Sequence, residues 1–271
     1  MSTRVVDGIW FEITGVGPPV VLLHGTPSPV ADWAPLVALL APHHRVLVPE
    51  LPGYGRSAPP ADAAVERIGD RLAAALAQLG ATHLRALVGY STGAYRAFDL
   101  LLRERVTADG FVSLSGFASF DPTARALRRD LAQRIRREPE FLRSAECAAL
   151  MRELMLSPAW GAAHPTDIER VARWADILSP PAWVAELEAL AATRDLRPEL
   201  ARLRLPVYVR AGELDVPCPP ADTRALAAAL PDATLALVPG CGHAICIEDA
   251  ATTARAIADV IAAFTPLAGA S

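Results

Sequence analysis

The chain has 271 residues, of which 52% are apolar and 21% charged, and its formal net charge is −4. At about 150 residues per domain this length suits one large domain or two small ones, and the composition excludes a disordered chain. A net charge this small creates no field that would attract nucleic acid or an anionic membrane surface, so we expect neither as a partner.

Short apolar runs rich in valine and leucine alternate with longer segments of helical period. The runs predict strands at residues 3–6, 9–14, 20–23, 46–48, 84–88, 110–114, 207–210 and 234–238. Between the fourth and fifth runs, residues 62–79 place their apolar side chains on one helix face. This alternation is typical of an α/β fold in which helices cover a mostly parallel sheet. The Asp7-Gly8 turn between the first two runs predicts an antiparallel hairpin at the sheet edge.

The alternation stops in the middle of the chain, where no strong strand candidate occurs. Helical patterns fill this stretch and are separated by prolines; they cover residues 123–137, 141–156, 166–178 and 181–193. We therefore predict a core domain built from residues 1–118 and 205–271 and a helical insertion at 119–204. A frayed end is predicted for residues 266–271.

The strongest functional signal is the sequence Gly-Tyr-Ser-Thr-Gly at residues 89–93, which follows an apolar strand and opens a helical run. In this G-x-S-x-G pattern a sharp strand-to-helix turn presents the serine hydroxyl, and the tight turn needs both glycines. Ser91 is therefore the candidate nucleophile. A chance glycine-serine turn is the alternative, and the strand before and helix after it make that alternative less favourable.

A nucleophilic serine needs a base, and the base needs a carboxylate to orient it. Asp215 follows one predicted strand and His243 follows another, so both are expected at the carboxyl edge of the sheet beside Ser91. We predict that these three residues form a catalytic triad. Taken singly, Asp215 could be a turn residue or a helix cap, and His243 could be an ordinary loop histidine. Glu213 is the rival acid, but it lies closer to its strand.

Hydrolysis by such a serine also requires an oxyanion hole made of two N–H donors. The backbone N–H of Thr92, directly after the nucleophile, is predicted to be one of them. The loop His24-Gly25-Thr26-Pro27 should supply the other, and Thr26 is the natural donor because Pro27 has no N–H. We interpret His24 as a structural residue that orients this loop; the alternative is that the loop is only a tight turn.

Five motifs are distributed over nearly the whole chain: residues 24–27, 51–57, 89–93, 212–215 and 242–243. With them the chain resembles the α/β-hydrolase superfamily. The resemblance implies an eight-stranded, mostly parallel sheet with helices on both faces, a helical cap formed by the insertion, and an acyl-enzyme on Ser91. Ala94 departs from the glycine that many relatives carry, without consequence for catalysis. An aspartate in place of Ser91 would have suggested a dehalogenase or an epoxide hydrolase, so the serine argues against both.

We therefore predict a serine hydrolase that cleaves a small or medium apolar ester or lactone. Thioester cleavage, acyl transfer, carbon–carbon bond hydrolysis and perhydrolysis could use the same triad, and a ligand-binding receptor with a near-silent triad is the alternative from another class. Large apolar side chains predicted to bind substrate are Trp33, Trp160, Trp174 and Trp183. The arginine-rich stretch 123–143 is expected to be solvated, and the alternative is one inward guanidinium that binds a carboxylate.

The remaining residue types limit cofactors and compartment. All 26 basic residues are arginine, which excludes Schiff-base and pyridoxal phosphate chemistry, a Ser-Lys dyad and a phosphate-binding lysine. The histidines and cysteines show no metal-ligand spacing, so we predict neither metal nor cofactor. The cysteines are expected to be reduced, and neither a secretory signal nor a membrane segment is predicted, which favours the cytoplasm. The sequence predicts no oligomeric state.

Overall fold

The computed structural model describes residues 1–265, so the frayed end predicted for 266–271 lies outside the described residues. The strands of this part are β1 Ser2–Val6, β2 Ile9–Thr14, β3 Pro19–Leu23, β4 Arg45–Glu50, β5 His83–Leu84, β6 Ala86–Tyr90, β7 Thr107–Ala108, β8 Phe111–Leu114, β9 Val207–Gly212 and β10 Ala233–Val238. Eight of them form one sheet in the order β1-β2-β4-β3-β6-β8-β9-β10. The pairs β1–β2 and β2–β4 are antiparallel and the other neighbours are parallel. The predicted edge hairpin and mostly parallel eight-stranded sheet are thereby confirmed.

Helices connect the strands. They are α1 Ala34–Leu40, α2 Val65–Gln78, α3 Thr92–Leu102, α4 Pro122–Arg137, α5 Ala145–Met155, α6 Pro158–Ala163, α7 Pro165–Ala172, α8 Pro180–Ala191, α9 Pro220–Ala229, α10 Ile245–Glu248 and α11 Ala250–Ala263. Short 3₁₀ helices add Val30–Trp33, Pro139–Arg143, Arg173–Ile177 and Arg197–Arg202. Within residues 1–265, no helix is both long enough and apolar enough to cross a bilayer.

Two apolar clusters show that helices cover both faces of the sheet. On one face Leu72 of α2 and Phe98 of α3 belong to the cluster, together with many side chains of the segment 119–204. On the other face the cluster contains Leu36 of α1 and Ile257 of α11. The central parallel strands are buried from both sides, which explains why their sequences are continuous apolar runs.

The segment 119–204 lies between β8 and β9 and contains only helices and turns, as its sequence predicts. Two predicted helices are each divided in the structure. The Ser144 side chain accepts the N–H of Cys147 at 3.1 Å and starts α5, so the preceding residues form a separate 3₁₀ turn. The predicted run 166–178 ends as an α-helix at Ala172 and continues as a 3₁₀ helix. Proline in the first turn begins most of these short helices.

The predicted strand 84–88 also divides, at Arg85. Residues 83 and 84 form β5 and pair with β7, whereas β6 joins the main sheet. The Arg85 guanidinium lies 3.1 Å from a carboxylate oxygen of Asp109 and donates to the carbonyl oxygen of Ile261 at 2.7 Å. These contacts hold the residue between two separate pairings.

Candidate active site

The candidate nucleophile stands at the sharp turn between β6 and α3. Ser91 has φ 53° and ψ −118°, a conformation that costs free energy for any residue other than glycine. A Cβ at Gly89 would lie 2.6 Å from the Cα of Ala94. A Cβ at Gly93 would overlap the backbone carbonyl oxygens of Leu23 and His24, at the end of β3. Both glycines of the motif are therefore required by close backbone packing.

The structure brings the three predicted triad residues into one hydrogen-bonded chain. Ser91 Oγ lies 2.9 Å from His243 Nε2, and His243 Nδ1 lies 2.9 and 3.0 Å from the two carboxylate oxygens of Asp215. All three side chains are buried. Because a carboxylate only accepts, Nδ1 carries the proton and Nε2 offers its lone pair to the Ser91 hydroxyl. This is the tautomer that a general base needs.

Further hydrogen bonds hold the acid and the base in place. The carboxylate of Asp215 also accepts the N–H of Cys218 at 2.8 Å. The carbonyl oxygen of His243 accepts hydrogen bonds from Tyr90 at 3.3 Å and Ser115 at 3.1 Å. Glu213, the rival acid, is exposed. The geometry thus favours Asp215 as the partner of the imidazole.

Thr26 and Thr92, the two residues predicted to donate to the oxyanion, are in contact with each other in the structure. Thr92 is the first residue of α3, so its N–H has no acceptor within the helix. The side-chain oxygens of Thr26 and Thr92 are 2.9 Å apart. His24 accepts the N–H of Leu51 at 3.0 Å, and burial lowers its pKa to about 4. A neutral, hydrogen-bonded His24 has the structural role that the sequence suggests.

A buried carboxylate that sequence reasoning missed adjoins this side of the site. Glu186 of α8 accepts hydrogen bonds from Thr26 at 2.6 Å, from Tyr54 at 3.0 Å and from Arg96 at 2.8 Å. Burial alone would raise the pKa of Glu186, but the Arg96 charge and the hydrogen bonds that the carboxylate accepts lower it. The available signal was its position three residues after Trp183, on the apolar face of the helix.

A cavity of about 370 Å³ opens above Ser91 and His243. Its walls come from α4, α5 and α8, and they include Leu127, Leu131, Met151, Met155, Leu187 and Leu190. Val216, Pro217 and Pro219, which follow the predicted acid, and the Thr26-Pro27 loop line the remaining sides. A pocket with these walls is mainly apolar.

Of the four predicted substrate-binding tryptophans, only Trp183 lines this cavity. Trp33 packs in the cluster on the opposite face of the sheet. Trp174 is buried within the helical segment, and Trp160 stacks on the ring of His164 with centroids 3.7 Å apart. For these three the structure does not support the prediction, because they pack against other side chains and do not line the cavity.

Three charged residues also line the cavity: Arg128, Asp121 and Asp222. Arg128 stacks 3.5 Å from the centroid of the Phe120 ring and donates to the carbonyl oxygen of Ala124 at 2.8 Å. Burial lowers its pKa to about 10, so it stays protonated at neutral pH. Among residues 1–265, no carboxylate forms a salt bridge with the Arg128 guanidinium. The expected solvation of the arginine-rich stretch does not hold for this residue.

Asp215, Cys218 and His243 place three potential metal-ligand atoms within 4.8 Å of one another. Burial raises the pKa of the Cys218 thiol well above its usual value, so the thiol stays neutral. Both imidazole nitrogens already take part in the triad hydrogen bonds. The donor set therefore suits proton transfer better than metal binding. The four cysteines are unpaired.

Residues 18–250 match the family described as the alpha/beta hydrolase fold, and the chain therefore belongs to that family. A pimeloyl-[acyl-carrier protein] methyl ester esterase of Xanthomonas campestris pv. campestris (strain B100) is 30% identical over 93% of this chain and 98% of its own. A thermophilic esterase from Thermogutta terrifontis is 29% identical, with TM-score 0.85 over 97% of this chain and 98% of the other. The enol-lactonase from Burkholderia xenovorans LB400, 23% identical, shares the fold with TM-score 0.84 over 96% and 100%. The chain is thus an enzyme of a hydrolase family with esterase relatives.

Proposed function

We propose that the protein is a serine hydrolase that cleaves a small or medium, mainly apolar ester or lactone through an acyl-enzyme on Ser91. The observation that carries this proposal is the chain of hydrogen bonds from Ser91 through His243 to Asp215, with contacts of 2.9–3.0 Å. The activities for which the Xanthomonas and Thermogutta relatives are named favour the ester class.

The geometry suits acyl transfer in two steps. Ser91 Oγ attacks the carbonyl carbon while His243 Nε2 takes its proton, and Asp215 holds the tautomer and stabilises the imidazolium. The N–H groups of Thr26 and Thr92 donate to the developing oxyanion. His243 then protonates the leaving alcohol oxygen. In the second step the same imidazole deprotonates a water, which attacks the acyl carbon, and the proton passes from His243 to Ser91 Oγ as the bond to the acyl group breaks and the acid leaves.

The segment 119–204 serves in this proposal as a cap domain on a core of residues 1–118 and 205–271. Helices α4, α5 and α8 form walls of the cavity above Ser91, and walls of this kind exclude water from the acyl-enzyme. We also propose that a small molecule is the substrate, that no metal, cofactor or nucleic acid takes part, and that the protein acts in the cytoplasm.

Substrate charge separates two candidate functions. The apolar walls, and the two carboxylates that outnumber Arg128 in the cavity, favour a neutral acyl group. The guanidinium of Arg128 favours the second candidate, an ester whose acyl chain ends in a free carboxylate. The first is preferred because apolar side chains make up most of the lining.

Steady-state hydrolysis of p-nitrophenyl butyrate tests the proposal. We expect many turnovers per molecule, abolished in Ser91→Ala. A receptor with a silent triad would release at most one equivalent of p-nitrophenol slowly, and that result would overturn the proposal. A panel of acyl esters, lactones and thioesters then separates the reactions that one triad can support.

A further inference from the structure

We propose that Glu186 is a positioning residue for the oxyanion hole, which holds Thr26 so that its N–H faces the reacting carbonyl oxygen. This inference rests on the proposed serine hydrolase function. Glu186 belongs to α8 and Thr26 to the loop after β3, so the contact joins parts of the chain 160 residues apart. The oxyanion hole would then be complete only when α8 is docked.

The contacts are buried and short. The Glu186 side chain is 4% exposed, and its Oε1 lies 2.6 Å from Thr26 Oγ1. The Tyr54 hydroxyl lies 3.0 Å from the same carboxylate oxygen and 2.7 Å from Thr26 Oγ1. The Thr26 side chain is thus held between a carboxylate and a phenol.

The direction of the hydrogen bonds follows from the ionised carboxylate. Since Glu186 can only accept, the single hydroxyl proton of Thr26 is directed to it. Thr26 Oγ1 is left as an acceptor, and the Thr92 hydroxyl, 2.9 Å away, donates to it. One carboxylate therefore orders both residues whose backbone N–H groups form the proposed hole.

Arg96 stabilises the charged form of this carboxylate and links it to α3, the helix that follows Ser91. Arg96 lies on α3 and is 1% exposed, and its Nη2 is 2.8 Å from both oxygens of Glu186. Its Nε and Nη1 have no hydrogen-bond partner among the described residues. The ion pair with Glu186 is therefore the main compensation for the buried guanidinium. Glu186 thus contacts both segments that build the hole, the β3 loop and α3.

Glu186→Gln tests this role because the amide removes the charge and turns a donor toward groups that themselves donate. An oxyanion donor removed outright costs about 10²–10³ in kcat. For a displaced donor we expect kcat to fall on the order of 10-fold or more while KM changes little. Affinity for a tetrahedral boronic acid inhibitor should fall by the same factor as kcat/KM, because both report transition-state binding.

Two further variants keep the test decisive. Glu188→Gln, on the same helix but exposed and paired with Arg136 at 2.9 Å, is the matched control and should leave kcat unchanged. Thr26→Val keeps the backbone N–H and removes the hydroxyl that Glu186 holds, so it should reproduce the loss even if Glu186→Gln fails to fold. In a folded double variant the losses should not add.

The inference is overturned if Glu186→Gln or Thr26→Val, with active sites counted by phosphonate titration, retains the wild-type kcat and boronate affinity per site. Loss of folded protein with unchanged kcat per site would also overturn it, since that outcome marks a purely structural residue. If the wild-type protein itself does not turn over esters, the proposed function fails, which the same assay shows before any variant is compared.

Discussion

The imidazole of His243 and the backbone that carries it are held by groups from different parts of the chain. Asp215 accepts from Nδ1, and the hydroxyls of Tyr90 and Ser115 donate to the backbone carbonyl oxygen of His243. The ring can therefore present Nε2 to Ser91 without reorganisation. At the residue scale, the proposed catalysis depends on this fixed tautomer more than on any single contact.

Replacement of the acid tests that dependence. Asp215→Asn should lower kcat on the order of 10⁴-fold, because the amide favours the wrong imidazole tautomer. Glu213→Gln, two residues earlier on the same loop but exposed, should leave kcat within about 2-fold, since substitutions away from the site perturb little. Ester turnover of the two variants measures the difference. Equal losses, or a larger loss from Glu213→Gln, would assign the acid role to Glu213.

The sequence could predict the positions of Ser91, Asp215 and His243 because each follows a strand whose pattern is local. Glu186 could not be found in this way. Its partners, Thr26, Tyr54 and Arg96, lie on other elements, and only the docking of α8 brings them together. A charged residue on an apolar helix face signals a buried partner without saying which one.

At the element scale, a second buried carboxylate joins the helical segment to the core. Glu248 of α10 accepts the N–H of Ser157 at 2.7 Å, the Ser157 hydroxyl at 2.5 Å and the N–H of Gly242 at 3.2 Å. Gly242 directly precedes His243. The proposed cap is therefore attached to the loop of the base as well as to the oxyanion loop.

Removal of this attachment should cost stability. Glu248→Ala leaves two buried N–H groups without an acceptor, and we expect the free energy of unfolding to fall by about 2–4 kcal/mol. Urea denaturation gives the value. Glu153→Ala, at an exposed position of α5, is the control and should change it by less than about 0.5 kcal/mol. A loss below about 1 kcal/mol from Glu248→Ala would show that these hydrogen bonds do not hold the segment.

The cavity walls lead to a prediction about substrate charge. We expect kcat/KM for p-nitrophenyl hexanoate to exceed that for the p-nitrophenyl monoester of adipic acid by about 10-fold or more. Asp121 and Asp222 should repel the free carboxylate at the end of the adipate chain. Arg128→Met should then change the ratio little. Arg129→Met, at an exposed position next to it, is the control. A preference for the adipate ester that Arg128→Met abolishes would establish the second candidate function.

The helices and strands could be predicted from the sequence where the apolar pattern is local. Their boundaries could not be predicted where a side-chain contact divides an element. The Asp7-Gly8 hairpin and the strand-helix alternation follow from short-range periodicity. The division of strand 84–88 depends on Arg85 reaching Asp109, and that of helix 141–156 on the Ser144 cap. The orientation of a tryptophan such as Trp33 depends on which face of the sheet its helix covers, and apolar character alone does not reveal that.

At the scale of the whole molecule, the half-buried carboxyl group of Asp32 and the buried imidazole of His24 give opposing contributions to the pH dependence of stability. Burial raises the pKa of Asp32 from 3.8 to about 6, so the native state binds this proton more tightly than the unfolded chain. The stability it contributes is lost as pH rises from about 4 to about 6. Burial lowers the pKa of His24 from 6.5 to about 4, so its contribution rises over much of the same range.

Asp32→Asn isolates the first contribution. The variant should gain stability relative to the wild type as pH rises from 4 to 7, by as much as about 3 kcal/mol, since each pKa unit corresponds to about 1.4 kcal/mol. Urea denaturation at both pH values measures the gain, with the exposed Asp259→Asn as control. A difference between variant and wild type that does not change with pH would show that Asp32 titrates alike in both states.

The serine mechanism is tested most directly by the site of covalent labelling. We expect a fluorophosphonate to add once per chain, with peptide mapping placing the adduct on Ser91. The Ser91→Ala variant should fold, take no label and lose ester turnover by on the order of 10⁴-fold or more. A label on Ser113 or Ser115, or an alanine variant that keeps its turnover, would contradict the assignment of Ser91 as the nucleophile.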